Sequence, residues 1–182
     1  DDAADTMRRY NDHVCDWTER SGGRVRAAAV LRTRTLEEML GETDRVLAKG
    51  AKALLMNEGQ PPAGVSPADP LLDPFWARVA EAGVPLLLHI GGQQGFFRSR
   101  EWGNADVFKV GGFGAGEPVD AHLMATVHMA PQNFLQTIIL GGVLERHPTL
   151  RLGAIELGAS WVGPMADNMD LLIEQSFSKT AR

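Results

Sequence analysis

Apolar and polar positions along the chain follow two alternating periods, and each change of period marks an element boundary. Residues 3–20 repeat at helical spacing: Met7, Tyr10, Val14 and Trp17 recur every three or four positions and share one helical face. Ser21-Gly22-Gly23 ends that pattern, and residues 25–31 form a short, mostly apolar run of the kind a buried parallel strand needs. A second helix is entered through Thr35 and Glu38, which stand in the spacing of a capping box. Leu36, Met39, Leu40, Val46 and Leu47 carry its apolar stripe, and Gly50 occupies the position of a left-handed cap.

The cycle then repeats. Residues 51–56 read as a strand, followed by a Pro- and Gly-rich loop through Pro70 and a helix capped by Asp73 with Pro74 at its first position. Phe75, Trp76, Val79 and Ala80 form its buried face and Gly83 stops it. Residues 84–89 are apolar throughout until His89, and Gly91-Gly92 follow. Residues 119–140 are helical in pattern with Pro131 as an expected kink, and residues 150–155 are a further strand ending at Glu156. Between them, residues 93–118 are rich in glycine and aromatics and are expected to form a long loop at the active site.

Counted from Arg24, Ala51, Val84 and Leu150, strand starts are spaced by 27, 33 and 66 residues, the last about twice the unit. Such a rhythm predicts an α/β fold with a parallel sheet. Length alone, at 182 residues with four strands, fits an open doubly wound sheet better than a closed (β/α)₈ barrel of about 250 residues. A single domain over 1–182 is expected. The chain does not begin with Met, and its last residues supply no closing element, so a piece of a longer chain is also expected.

Composition narrows the function classes. Eighteen basic against 23 acidic side chains give a net charge of −5, which argues against a general nucleic-acid-binding surface. No apolar run approaches the ~20 residues that span a bilayer. The single Cys15 excludes an intrachain disulfide and fits the reducing cytoplasm.

Candidate chemistry gathers at strand exits, where parallel α/β folds place their sites. His89 can ligate a metal or move protons; a structural, hydrogen-bonded histidine is the alternative. Glu156 can act as ligand, base or substrate contact, or as an ion-paired loop carboxylate. Asn57 and Glu58 leave the preceding strand on the same side and are candidate substrate contacts, with a solvated loop carboxylate as the plainer reading of Glu58. Trp102 and Arg98, within 93–118, would belong to a lid facing an anionic substrate, or to an aromatic-rich contact in a homo-oligomer. His13, His122, His128 and His147 read as solvated or structural. No His-Glu-x-x-His, Cys-x-x-Cys, phosphate loop or Gly-x-Ser-x-Gly is present.

Four segments resemble a known family. Gly83-Val84-Pro85-Leu86-Leu87-Leu88-His89-Ile90-Gly91-Gly92 resembles a metal-ligand strand of the amidohydrolase-related family, the branch with aminocarboxymuconate-semialdehyde decarboxylase. Gly141-Gly142-Val143-Leu144-Glu145-Arg146-His147-Pro148 resembles the segment that leads into that family's sixth strand, and Tyr10-Asn11-Asp12 and residues 24–31 are similar to its pattern. The resemblance implies a (β/α)₈ TIM barrel, of which this chain would hold about strands three to six. It implies a divalent ion, typically Zn²⁺, bound by His89, with Glu156 standing where the decarboxylases place a second histidine. The first-strand His-x-His pair and the distal Asp of the family would lie outside this chain. Hydrolysis or non-oxidative decarboxylation of a small carboxylated or cyclic molecule follows as the expectation. A metal-free binding or assembly barrel and a metal-independent acid/base enzyme on an open sheet are the alternatives.

Overall fold

The computed structural model describes residues 2–92, 95–108 and 121–177, excluding the side chains of 98–100 and 176–177. Four strands, β1 (Ala28–Val30), β2 (Ala53–Met56), β3 (Pro85–His89) and β4 (Arg151–Ile155), alternate with helices α1 (Asp2–Arg20), α2 (Leu36–Ala48), α3 (Asp73–Ala82), α4 (Ser99–Trp102), α5 (Ala121–Thr126), α6 (Met129–Leu140), α7 (Val143–Arg146) and α8 (Val162–Leu172). The strands pair in chain order, and each neighbouring pair is parallel.

That order bears out the barrel implied by the resemblance, against the open sheet that length alone favoured. A doubly wound sheet reverses its strand order at a switch point and covers both faces. Here the order never reverses and the two faces differ. Leu54, Met56, Leu86 and Leu88 point into a core closed by Met39 and Val46 of α2, Phe75, Trp76 and Val79 of α3, and Phe134 and Ile138 of α6. On the opposite face Val30, Leu55, Leu87 and Gly153 lie in one register row and are only half-buried. This is the construction of a barrel wall, in which that second face is the interior. A Cβ on Gly153 would come within 2.9 Å of Leu87, so the bare backbone of β4 makes room for the β3 leucine.

Several local expectations need correction. On α1 the buried positions are Asn11, Val14, Cys15 and Thr18, while Tyr10 and Trp17 are exposed. The apolar stripe therefore misses the packed face by about one position, because the contact is built around a polar anchor. The buried Asn11 amide donates to the Val30 carbonyl and accepts from the Val30 N–H, both at 2.8 Å, and donates to Glu42 at 2.7 Å. Thr35 caps α2 by accepting from the Glu38 N–H, but the Glu38 carboxylate turns to Arg34 instead of closing the capping box. Asp73 is the first residue of α3, not its cap: its carboxylate takes Arg146 and His147. Residues 25–27 and 51–52 stay outside the ladder, whose first pair is Ala28 with Ala53.

Pro131 interrupts the long helix as expected, but indirectly. The break falls at Val127–His128, which puts Pro131 in the first turn of α6, where a backbone N–H has no helical partner to lose. No described helix is long and apolar enough to cross a membrane.

Candidate active site

The period of two along β3 sends Leu86 and Leu88 under the helices and brings Leu87 and His89 to the other face. His89 pairs with Ile155 at the end of the β3–β4 ladder, so Glu156 is the next residue out of the neighbouring strand. Glu156 has φ +60°, a left-handed conformation that a glutamate adopts at a cost of about 1 kcal/mol or more. The turn holding it is pinned from behind. The Trp161 indole N–H donates to the Leu157 carbonyl at 2.9 Å and the Gly158 carbonyl at 3.1 Å, and Leu157 and Trp161 are both buried. The His128 ring stacks on Trp161.

The result is a short-range pair. His89 Nε2 lies 3.2 Å from Glu156 Oε2, and His89 Nδ1 lies 2.7 Å from the Ile90 carbonyl. The carbonyl can only accept, so Nδ1 carries hydrogen, and Nε2 is the ring atom left to meet a cation or to share a proton with the carboxylate. Ligands held at about 2.0–2.1 Å on a tetrahedral ion stand about 3.3 Å from each other. The His89–Glu156 separation thus suits two adjacent ligands as well as a hydrogen bond. The donor set of one imidazole and one carboxylate is acceptable to Zn²⁺. Among the described residues it stops at these two: no group of three His, Cys, Asp or Glu side chains stands close enough to hold an ion.

The β2 exit adds a group that the sequence reading undervalued. Asn57 is exposed, and its Oδ1 accepts from the Gly59 N–H at 2.7 Å. That N–H also donates to the Gly92 carbonyl at 2.9 Å, which ties the β2 and β3 exits together. Glu58 between them is not a solvated loop carboxylate: it is 3% exposed, and among the described residues neither of its oxygens has a hydrogen-bond partner. Burial pushes its carboxyl up to about 7, against smaller downward pulls from its own backbone N–H and from His89. A Cβ at Gly92 would come within 2.1 Å of Glu58 Oε2, so glycine is required there to admit the carboxylate. Nothing in the sequence announces this burial, because Glu58 sits in a polar, Pro- and Gly-rich stretch; the paired glycines after His89 were its one trace.

Glu58 borders a cavity of about 210 Å³ walled by Gln60, Phe96, Phe97, Asn133 and Phe134. Two larger hollows, of about 480 and 610 Å³, lie along α1 at Val30, the first also against α2, where Glu38 and Glu42 are paired with Arg34 and Arg45.

Trp102 ends α4 and is 73% exposed. The Arg98 side chain, and residues 93, 94 and 109–118 of the expected lid, lie outside the described residues. The Gly141–Pro148 motif has a structural task. Arg146 donates to both oxygens of Asp73 at 3.1 Å and to the carbonyls of Gly141 and Ala68, and His147 reaches the same Asp73 at 3.2 Å. A Cβ at Gly141 would collide with Ala68.

Comparison with known proteins gives the family and fold. The family model described as amidohydrolase matches residues 1–176. Among solved structures, an amidohydrolase from Mycobacterium avium subsp. paratuberculosis K-10 is 28% identical with a TM-score of 0.65, over 87% of this chain and 40% of that one. The IDCase of Metarhizium anisopliae is 22% identical with a TM-score of 0.66, over 96% and 43%. The 2,6-dihydroxybenzoate decarboxylase from Rhizobium is 19% identical with a TM-score of 0.55, over 81% and 43%; these last two likenesses speak for the fold. The chain spans about two fifths of the length of the structures it matches. No curated protein matches it. With its sequentially ordered parallel wall of a TIM barrel and a family model covering nearly all of its length, the chain belongs to the amidohydrolase family.

Proposed function

We propose that this chain contributes part of the active site of a metal-dependent hydrolase or non-oxidative decarboxylase acting on a small carboxylated or cyclic molecule. The observation that carries the reading is the meeting of His89 Nε2 and the Glu156 carboxylate at 3.2 Å across adjacent strand exits. His89 would hold a divalent ion, Zn²⁺ first, through Nε2, and Glu156 would serve as a further ligand or as a base. Bound there, the ion would supply Lewis acidity toward a carboxylate or carbonyl oxygen. The Ile90 carbonyl orients the imidazole, and the strained turn at Glu156 aims the carboxylate. Asn57, Glu58, Trp102 and Arg98 are proposed as substrate contacts, and the segment 93–118 as a lid over them. We place the protein in the reducing cytoplasm on the strength of its lone, buried Cys15, with a small molecule rather than nucleic acid or membrane as partner.

The test is His89→Ala in the full chain. Metal content is measured by elemental analysis, with turnover followed as CO₂ release from small aromatic carboxylates and as ring opening of cyclic amides. The variant is expected to lose at least a hundredfold in turnover and to retain far less metal; unchanged metal and turnover would sink the assignment. A second reading, a barrel that binds without metal, is favoured by Glu156 standing where the decarboxylases place a second histidine. Wild-type chain that retains no divalent ion and turns nothing over would establish it.

A further inference from the structure

Glu156 is the more exposed half of the His89–Glu156 pair, with 66% of its side chain open to solvent, so packing does not fix where its carboxylate stands. The backbone has to do so, and in a costly conformation. Glu156 holds φ +60° and Gly158 φ +64°, so the chain leaves β4 through two left-handed positions. Glycine adopts that region freely, whereas a glutamate stays there only while its surroundings impose it.

Trp161 is placed to impose it. Its indole N–H donates to the Leu157 carbonyl at 2.9 Å and to the Gly158 carbonyl at 3.1 Å, one donor bridging two of the peptide groups that follow Glu156. The ring is buried, packs with Met165 and Met169 of α8 against Leu135 of α6, and stacks on His128 with the two planes 21° apart. The side chain is thus anchored in the contact between α6 and α8 while its one polar atom reaches the turn. We propose that Trp161 is a positioning residue for Glu156: by holding the Leu157 and Gly158 carbonyls it keeps the Glu156 carboxylate within reach of His89 Nε2.

The residue type is specific to that task. Phenylalanine or leucine could fill apolar space beside the methionines, but neither carries a donor, whereas indole joins a large apolar ring to an N–H that can only donate. Without the N–H the carbonyl of the buried Leu157 loses this partner, and the turn is free to relax from the left-handed conformation at Glu156. The inference rests on the His89–Glu156 pair as the functional site and deepens that reading. It does not depend on a metal being bound.

The test is read in the metal-stripped full chain, from the nitrogen NMR signal of His89 Nε2 at one fixed, mildly acidic pH. Glu156→Ala deletes the carboxylate and calibrates the displacement that marks a lost partner. Trp161→Phe keeps an aromatic ring in the cluster and deletes the donor. It is expected to displace the Nε2 signal in the same direction and by most of the same amount, with the melting transition retained. Combining the two should add little to Glu156→Ala alone, since both act on one contact. Gly158→Ala, whose Cβ has open space but whose φ is unfavourable for alanine, strains the same turn with Trp161 intact and should displace the signal in the same direction. Met165→Leu disturbs the packing between α6 and α8 without removing a hydrogen bond, and should leave the signal in place. A signal moved by Glu156→Ala but not by Trp161→Phe or Gly158→Ala overturns the role of Trp161 and leaves the pair standing. Equal displacement by Met165→Leu and Trp161→Phe reduces Trp161 to packing and also overturns it. A signal indifferent to Glu156→Ala means that the pair does not form, and overturns the site reading as well.

Discussion

Glu58 and His89 are two residues from the sequence that burial treats in opposite ways. His89 keeps one face open and satisfies Nδ1 on the next carbonyl, whereas Glu58 is enclosed without a partner. A carboxyl whose folded pKa lies above its unfolded value favours the folded state fully only below the unfolded pKa, and that contribution is lost as pH rises through the folded one. For Glu58 the window runs from about 4.5 to about 7, worth up to about 3 kcal/mol at the buried limit. Denaturant melts of the metal-stripped chain should therefore show Glu58→Gln more stable than the parent at pH 8, by up to about 3 kcal/mol. The two should converge near pH 4. A constant difference across that range would show that Glu58 is solvated or paired in solution.

At the scale of elements, β1 shows how a three-residue strand is held. Among the described residues its one ladder partner is β2, and on its other side the buried Asn11 amide stands in for a strand by bonding both the N–H and the carbonyl of Val30. Arg45 and Lys49 of the α2 end hold Asp12 beside it, and Arg45 also holds Glu42. Asn11→Ala leaves two backbone groups and Glu42 without this partner, at an expected cost of about 3 kcal/mol in urea-unfolding free energy. Asn11→Asp should be no better at neutral pH, since it removes the donor and sets a second negative charge against Glu42. A loss below about 0.5 kcal/mol for Asn11→Ala would mean that water replaces the amide. Elements were largely legible in advance because Gly50 and Gly83, both at positive φ, stop α2 and α3 where expected. The misread face of α1 was not legible, because a hydrophobic count ignores an asparagine whose value lies in two backbone bonds 19 residues away.

For the molecule as a whole, the proposed metal would be linked to stability. A ligand that binds only the folded state stabilises it by an amount set by its free concentration relative to its Kd, about 2.7 kcal/mol at a hundredfold excess. If His89 and Glu156 take part in holding an ion, chelator treatment of the full chain should lower its Tm by roughly 5–10 °C. His89→Ala should show little further loss when treated in the same way. An unchanged Tm in the parent would favour the metal-free reading of the barrel.

The sequence by itself determined the βα rhythm, four of the strands, the placement of His89 and Glu156 at strand exits, and the family, because periodicity, glycine stops and short motifs are properties of neighbouring residues. Its periodicity alone fits the open sheet and the barrel equally, since both are written in the same local alternation, and only the family resemblance pointed to the barrel. The tertiary structure supplied the physical ground for that choice, a strand order that never reverses and a sheet with one face packed under helices. It also decided that the Arg146 motif is a clamp on Asp73, and that a glutamate in a polar loop is sealed against Gly92. Those outcomes depend on which distant residues share a space, and burial, pairing and the protonation of a carboxyl are set by that space rather than by the residue type.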